Sequence, residues 1–451
     1  MEEKDWMATA PTEEKDWLEE LETEMDMDDT VDGYWPEEMN IEFPEEYEDG
    51  EGVEGKWTNE ISIQKNRKVR KRKKKEGERI KHYERGYRST LIRLLLMAGA
   101  VTYSGLHLLP GNRLMYTRKL REMEKEEVVK LFYNNHKKIA RLQFFDDFHK
   151  EYTDMLPEGY YEYFNTYSRS NQQKISSTEK NGVSADRIIK YCEIVEMMYG
   201  AEIGTFPEDK TNLLEDGCIS KDTSSYYTMM ELRCCDAFEL HFKPNEDKKV
   251  SSRALGLLIS PGGKYVVYHT GSTAMFWSES AEGQMQHYIS KFVNYKCEIP
   301  NMVGEAEECI IIGDDMEVFV KIFESKKSRS INITNGYKKK YAIPYDRNGL
   351  EMIKRMTKPE WKEELNRTVL TGYTLCTEQP SISIDCDGFT ANQFALNFCD
   401  GNIVRLNKYI NFATWDRLKY QQKFEIYCYP FQTAFLKAVL KPEADIKIIE
   451  V

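Results

Sequence analysis

The front of the chain reverses its charge, and this limits what it can fold into. Residues 1–55 carry 23 Asp/Glu against only Lys4 and Lys15, a net of −21. Such a segment cannot bury enough apolar surface to offset chain entropy, so residues 1–64 are expected to be a disordered acidic tail. Residues 65–88 then carry 13 Lys/Arg against Glu76, Glu78 and Glu84, a net of +10. The whole-chain charge of −13 hides this contrast: without the acidic stretch the remainder stands at +8. A dense basic run attracts polyanions, and Lys71, Arg72, Lys73, Lys74 and Lys75 are its centre. A solvated linker over residues 65–87 explains the run equally well by itself. The neighbouring segment favours nucleic acid.

At 451 residues the chain has room for about two or three domains of ~150 residues. Ten cysteines are scattered without a CxxC pair, and the seven histidines show no ligand spacing. A structural zinc site is therefore not expected, and the thiols suit a reducing cytoplasm. The acidic start does not resemble a signal peptide. The longest apolar stretch, Leu91 to Val101, contains Arg93 and is too short to span a bilayer. These features predict a cytoplasmic protein without a membrane partner. The tail also repeats EEKDW at residues 2–6 and 13–17, where a chance duplication competes with a partner-docking segment.

Residues 88–150 read as three helices and a hairpin. Ser89 or Thr90 is a candidate cap for TLIRLLLMAG, and Gly99 a candidate stop. Thr102 is placed to cap YSGLHLL before Pro110-Gly111. Asn112 is placed to cap RLMYTRKLREMEK, where Tyr116, Leu120 and Met123 form one inward stripe. Thr117, Arg118 and Arg121 then share the outward arc, flanked by Lys119, with Arg113 at its start. EVVKLFY and KIARLQFF follow as strands joined at Asn134-Asn135-His136-Lys137. These are the parts of a winged helix, whose third helix enters the DNA major groove while the wing, here Lys137 and Lys138, touches the backbone. A winged helix used only for protein contacts has the same pattern.

Beyond a polar stretch at 147–182, SADRIIKYCEIVEMMYGA predicts a helix and residues 206–225 a loop. MMELRCC and FELHF predict strands, and RALGLLIS-PGG-KYVVYHTG a hairpin. SAEGQMQHYISKFV predicts a helix, ECIIIG with DMEVFVKIFESKK a β-α step, and YKKKYAIPYD a strand. Two short helices, strands SISIDCD, FALNF and KFEIYCYP, and the helix FQTAFLKAVL complete the chain. The domains expected are 183–345, a mixed α/β unit, and 346–451, an α+β extension, giving an α+β or mixed α/β fold overall.

From residue 85 onward, this order is similar to replication-relaxation proteins of Gram-positive mobile elements. The likeness runs from the Arg/Leu-bearing third helix through RALGLLISPGGKYVVYHTG and Trp277 to Glu282, then YAIPYDRNGL and YCYPFQTAFL. The resemblance implies a winged-helix DNA binder with a C-terminal part distantly like restriction-endonuclease folds. It also implies work in plasmid replication or conjugative transfer, on double-stranded DNA beside a relaxase or replication initiator.

A nuclease of that kin needs an Asp and a strand-borne Glu-x-Lys around Mg²⁺. Asp314-Asp315 and Glu324-Ser325-Lys326 are available, but this Glu-x-Lys ends a predicted helix; Glu279 and Glu282 have no such Lys. Asp385-x-Asp387-Gly388 resembles a phosphatase nucleophile motif, yet only about 60 residues follow it and the IIIGDD segment precedes it. No GxxxxGK[ST] or GxGxxG occurs, and Gly262-Gly263-Lys264 joins two strands. The sequence therefore predicts a noncatalytic DNA-binding protein without cofactor or metal. A Mg²⁺-dependent nuclease and a protein-interaction scaffold are the alternatives.

Overall fold

A computed structural model describes residues 86–134, 137–142, 163, 185–213, 218–220, 222–234, 252–297, 307–327, 329–376, 385–420, 422–440 and 442–451. The acidic segment, Lys71 to Lys75, and FELHF lie outside the described residues. The architecture is α+β, with helices against one antiparallel and two mixed sheets.

Helix α1, Tyr87–Ala98, buries Leu91, Ile92, Leu94, Leu95 and Leu96. It starts two residues before Ser89, and Gly99 ends it at φ 77°, its N–H bonded to the Leu95 carbonyl. That left-handed conformation strains any residue with a Cβ. Arg93 is buried on α1 and ion-pairs with Glu208 at 3.1 Å. Strand β1, Ala100–Thr102, leads into a 3₁₀ turn, Gly105–His107. The Thr102 hydroxyl accepts from Gly105 N–H at 3.0 Å. A longer helix was expected from YSGLHLL, but Pro110 closes off the segment. Helix α2, Arg113–Lys125, begins at Asn112, whose side chain accepts from Leu114 N–H, and buries Tyr116, Leu120 and Met123. Strands β2, Val129–Asn134, and β3, Lys137–Leu142, pair antiparallel, and β1 adds to β3 in the order β1-β3-β2.

Helix α3, Ala185–Gly200, packs on α1 and β1. It also covers a five-stranded sheet ordered β4-β5-β6-β7-β8, the strands being Ser225–Thr228, Gly256–Ser260, Gly263–Gly271, Glu308–Gly313 and Lys339–Pro344. The first three are antiparallel; β6, β7 and β8 run parallel. The segment expected as strand MMELRCC contains helix α4, Met229–Cys234. Thr228 and Glu231 exchange side-chain-to-backbone hydrogen bonds, a reciprocal cap that starts a helix. The strand, Ser225–Thr228, lies just before it and starts where the expected loop ends. Helix α5, Glu279–Lys296, crosses from β6 to β7, and α6, Glu317–Glu324, from β7 to β8. The tight β5–β6 turn requires Gly262, where a Cβ would meet the Met356 carbonyl oxygen at 1.9 Å.

Helices α7, Arg347–Met356, and α8, Trp361–Val369, lead to a second sheet ordered β13-β12-β11-β10-β9. Its strands in chain order are Thr374–Leu375, Gly388–Phe389, Gln393–Asn397, Lys423–Cys428 and Ile446–Glu450. Helix α9, Ile403–Tyr420, joins β11 to the parallel β12, and α10, Thr433–Val439, precedes β13. Neither α9 nor β13 was expected. Of SISIDCD, residues 381–384 lie outside the described residues; the strand begins only at Gly388. One buried apolar cluster runs from Leu91 to Val439.

Candidate functional site

The outward face of α2 carries the cations expected there. Arg113, Arg118 and Arg121 are exposed, Arg118 by 72% of its side chain, while Thr117 and Lys119 are half-buried. Arg118 Nε reaches Glu122 at 3.1 Å, and Lys119 pairs with the same carboxylate. These contacts, Lys119 first, hold the Glu122 pKa below the usual carboxylate range. Arg113 and Arg121 make no ion pair among the described residues. Leu114 projects beside them, 74% exposed. At the other end of α2, the Arg88 guanidinium forks onto Glu126, one bond at 3.0 Å. The last cation of the basic run is therefore tied to the C-terminal end of α2.

The hairpin divides its two candidate lysines. Lys138 Nζ sits 4.5 Å from the Tyr103 ring centroid, and Lys130 and Arg141 flank Phe132. Lys137 instead turns inward. Its ammonium lies 2.8 Å from Glu193 Oε1 on α3 and 2.9 Å from Asp314 Oδ1, just past β7. Glu193 is fully buried; Lys137 and Asp314 are each about a quarter exposed. Burial works against the Lys137 charge, but the two carboxylates outweigh it and raise the pKa. Burial likewise opposes ionisation of Glu193, and His269 and Lys137 together hold its pKa low.

Glu193, His269 and Asp314 each offer a metal-ligand atom, all within 4.8 Å of one another. The donor chemistry does not fit a cation. The Lys137 ammonium already bridges the two carboxylates. His269 Nδ1 accepts from Gly271 N–H at 3.0 Å, which places the proton of a neutral imidazole on Nε2. That Nε2 faces Glu193 Oε2 at 3.0 Å, outside hydrogen-bond alignment. A protonated nitrogen has no lone pair for a metal.

Three other candidate acids, Asp315, Glu282 and Asp387, are engaged in hydrogen bonds. Asp315 accepts from Glu317 and Val318 N–H and caps α6. Glu282 is buried and takes bonds from Ser252, Arg253 N–H and Tyr268; burial raises its pKa. Asp387 pairs with Arg405 and accepts from Asn366 and Asn397, and burial raises its pKa as well. Asp385, Glu279, Glu324 and Lys326 are exposed on the surface. No described helix is long and apolar enough to cross a membrane.

Comparison with protein-family models, curated proteins and solved structures finds no match to this chain.

Proposed function

We propose that the protein binds double-stranded DNA through a winged helix, with α2 as the reading helix and the basic run as an electrostatic anchor. The observation that carries this reading is the α2 face: Arg113, Arg118 and Arg121 are exposed together at a helix whose opposite stripe is buried. The order α1, β1, turn, α2, β2, β3, with β1 beside β3, supports that reading, with a 3₁₀ turn where the sequence suggested a middle helix. Lys138 is the hairpin cation we assign to the phosphate backbone, with Lys137 serving instead to fix the hairpin.

The restriction-endonuclease-like reading of the mixed sheet is retained as distant and noncatalytic. It is supported by the engagement of Asp314, Glu282 and Asp387 in bonds with Lys137, Ser252 and Arg405. Work beside a relaxase or initiator in plasmid replication or transfer remains our reading of the resemblance in segment order. Fluorescence anisotropy on a duplex tests the binding. Affinity should fall steeply with salt, and Mg²⁺ or Mn²⁺ should produce no nicking. Salt-independent affinity would point to a scaffold. Nicking that disappears in Asp314→Ala or Glu282→Ala would establish a nuclease.

A further inference from the structure

A cavity of ≈ 240 Å³ opens at the C-terminal end of β6, between the first turns of α3 and the loop after β6. Strand β6 has an antiparallel neighbour on one side and a parallel one on the other. Arg187, Lys190 and Arg253 line it against one carboxylate, Asp186, which pairs with Lys190 at 2.7 Å. The lining thus carries a net +2, His269 counted neutral. Arg187 and Arg253 are both exposed, and the repulsion between these like charges is what an arriving anion offsets.

The wall opposite is aromatic. Phe276 is 49% exposed, and the Arg253 guanidinium stands 5.8 Å from its ring centroid. Its backbone is nevertheless fixed. Phe276 pairs with Ser330, Trp277 N–H donates to Arg329 at 2.9 Å, and Ile331 N–H to Met275 at 3.0 Å. The buried Lys340 ammonium pins the same loop through the Asn332 and Asn335 carbonyls. A rigidly mounted, solvent-facing ring beside converging cations is the arrangement that stacks a base and holds its phosphate.

We infer that this pocket binds a nucleoside 5′-phosphate, the phosphate held by Arg187, Lys190 and Arg253 and the base stacked on Phe276. The group could arrive as a free nucleotide or as the 5′ end of a single strand. The inference is independent of the α2 reading, which uses a different face.

Titration calorimetry with deoxyadenosine 5′-monophosphate, deoxyadenosine, inorganic phosphate and a 5′-phosphorylated single-stranded oligonucleotide tests it. The monophosphate should bind at least about tenfold tighter than the nucleoside or inorganic phosphate. Arg187→Ala/Arg253→Ala should weaken it by about tenfold or more. Phe276→Ala should weaken the monophosphate and spare inorganic phosphate. A tighter oligonucleotide identifies a strand end as the ligand; equal or weaker binding identifies the free nucleotide. Duplex affinity measured in parallel on Arg187→Ala/Arg253→Ala should match the unmodified protein, so failure of the pocket and failure of duplex binding are distinguishable. The inference is overturned if about 5 mM monophosphate gives no binding heat. Inorganic phosphate binding as tightly as the monophosphate to the unmodified protein would also overturn it, as would unchanged affinity in a folded double variant.

Discussion

Glu196 is a buried carboxyl whose position answers to two distant segments. It accepts from Thr102 N–H and the Thr102 hydroxyl, both at 2.6 Å, and from Tyr345 at 2.8 Å. Burial first, then repulsion from Glu193, pushes its pKa up to about 8 from 4.5. Below about pH 4.5 both folded and unfolded chains hold this proton, and the contribution to stability is intact. Between there and about pH 8 only the folded chain holds it, so stability falls as pH rises. The slope is at most about 1.4 kcal/mol per pH unit. Glu196→Gln should flatten the dependence of the urea midpoint on pH across this window; an identical slope in the variant would refute the assignment. Periodicity exposed the inward Tyr116, Leu120 and Met123 in the sequence, because their spacing is local. Glu196 and Lys137 left no such signal, since their partners lie 56 to 177 residues away.

At the scale of elements, the β2–β3 hairpin is held by more than its strand pairing. Lys137 ties its second strand to α3 and to the end of β7. Removing the ammonium in Lys137→Met leaves Glu193 buried with only the His269 contact, and should cost about 2–3 kcal/mol by denaturant unfolding. Adding Glu193→Gln should recover part of that loss, because the stranded charge is then gone. A fall of about one in the salt slope of DNA binding, without lost stability, would return Lys137 to the phosphate backbone. The Asn112 cap of α2 and the Gly99 stop of α1 were legible because each rests on neighbouring residues; the start of α1 was not, since Gly86 precedes the helix and neither Ser89 nor Thr90 caps it. The Thr228-x-x-Glu231 signal for α4 was equally local, but the apolar run MMELRCC masked it. Helix α9 was legible in principle too: Ile403, Leu406, Ile410 and Ala413 lie at helical spacing and are buried. Its polar residues, Asn407, Asn411 and Asp416 among them, obscured the stripe. Nothing local distinguishes the arginines that face the Phe276 cavity, because they converge only when α3 meets the segment before β5.

At the scale of the whole molecule, one large apolar cluster among the described residues joins α1 and α2 to both mixed sheets, so the helix with the proposed reading face is packed into that cluster. The acidic stretch ends ten residues before Lys65. On so short a tether, the effective concentration of −21 around +10 reaches the mM range. Deleting residues 1–55 should therefore tighten nonspecific duplex binding and steepen its salt dependence, as read by a salt titration on a random-sequence duplex. Coincident curves for the two proteins would leave the acidic stretch a solubiliser or a docking segment. The central claim is that α2 reads duplex DNA, and the most direct measurement is the duplex affinity of Arg118→Ala/Arg121→Ala at fixed salt. Because both side chains are exposed, the variant should keep its melting temperature. Each arginine paired with a guanine is worth ~1–3 kcal/mol, so affinity should fall by at least about tenfold. Unchanged affinity in the folded double variant would contradict the account.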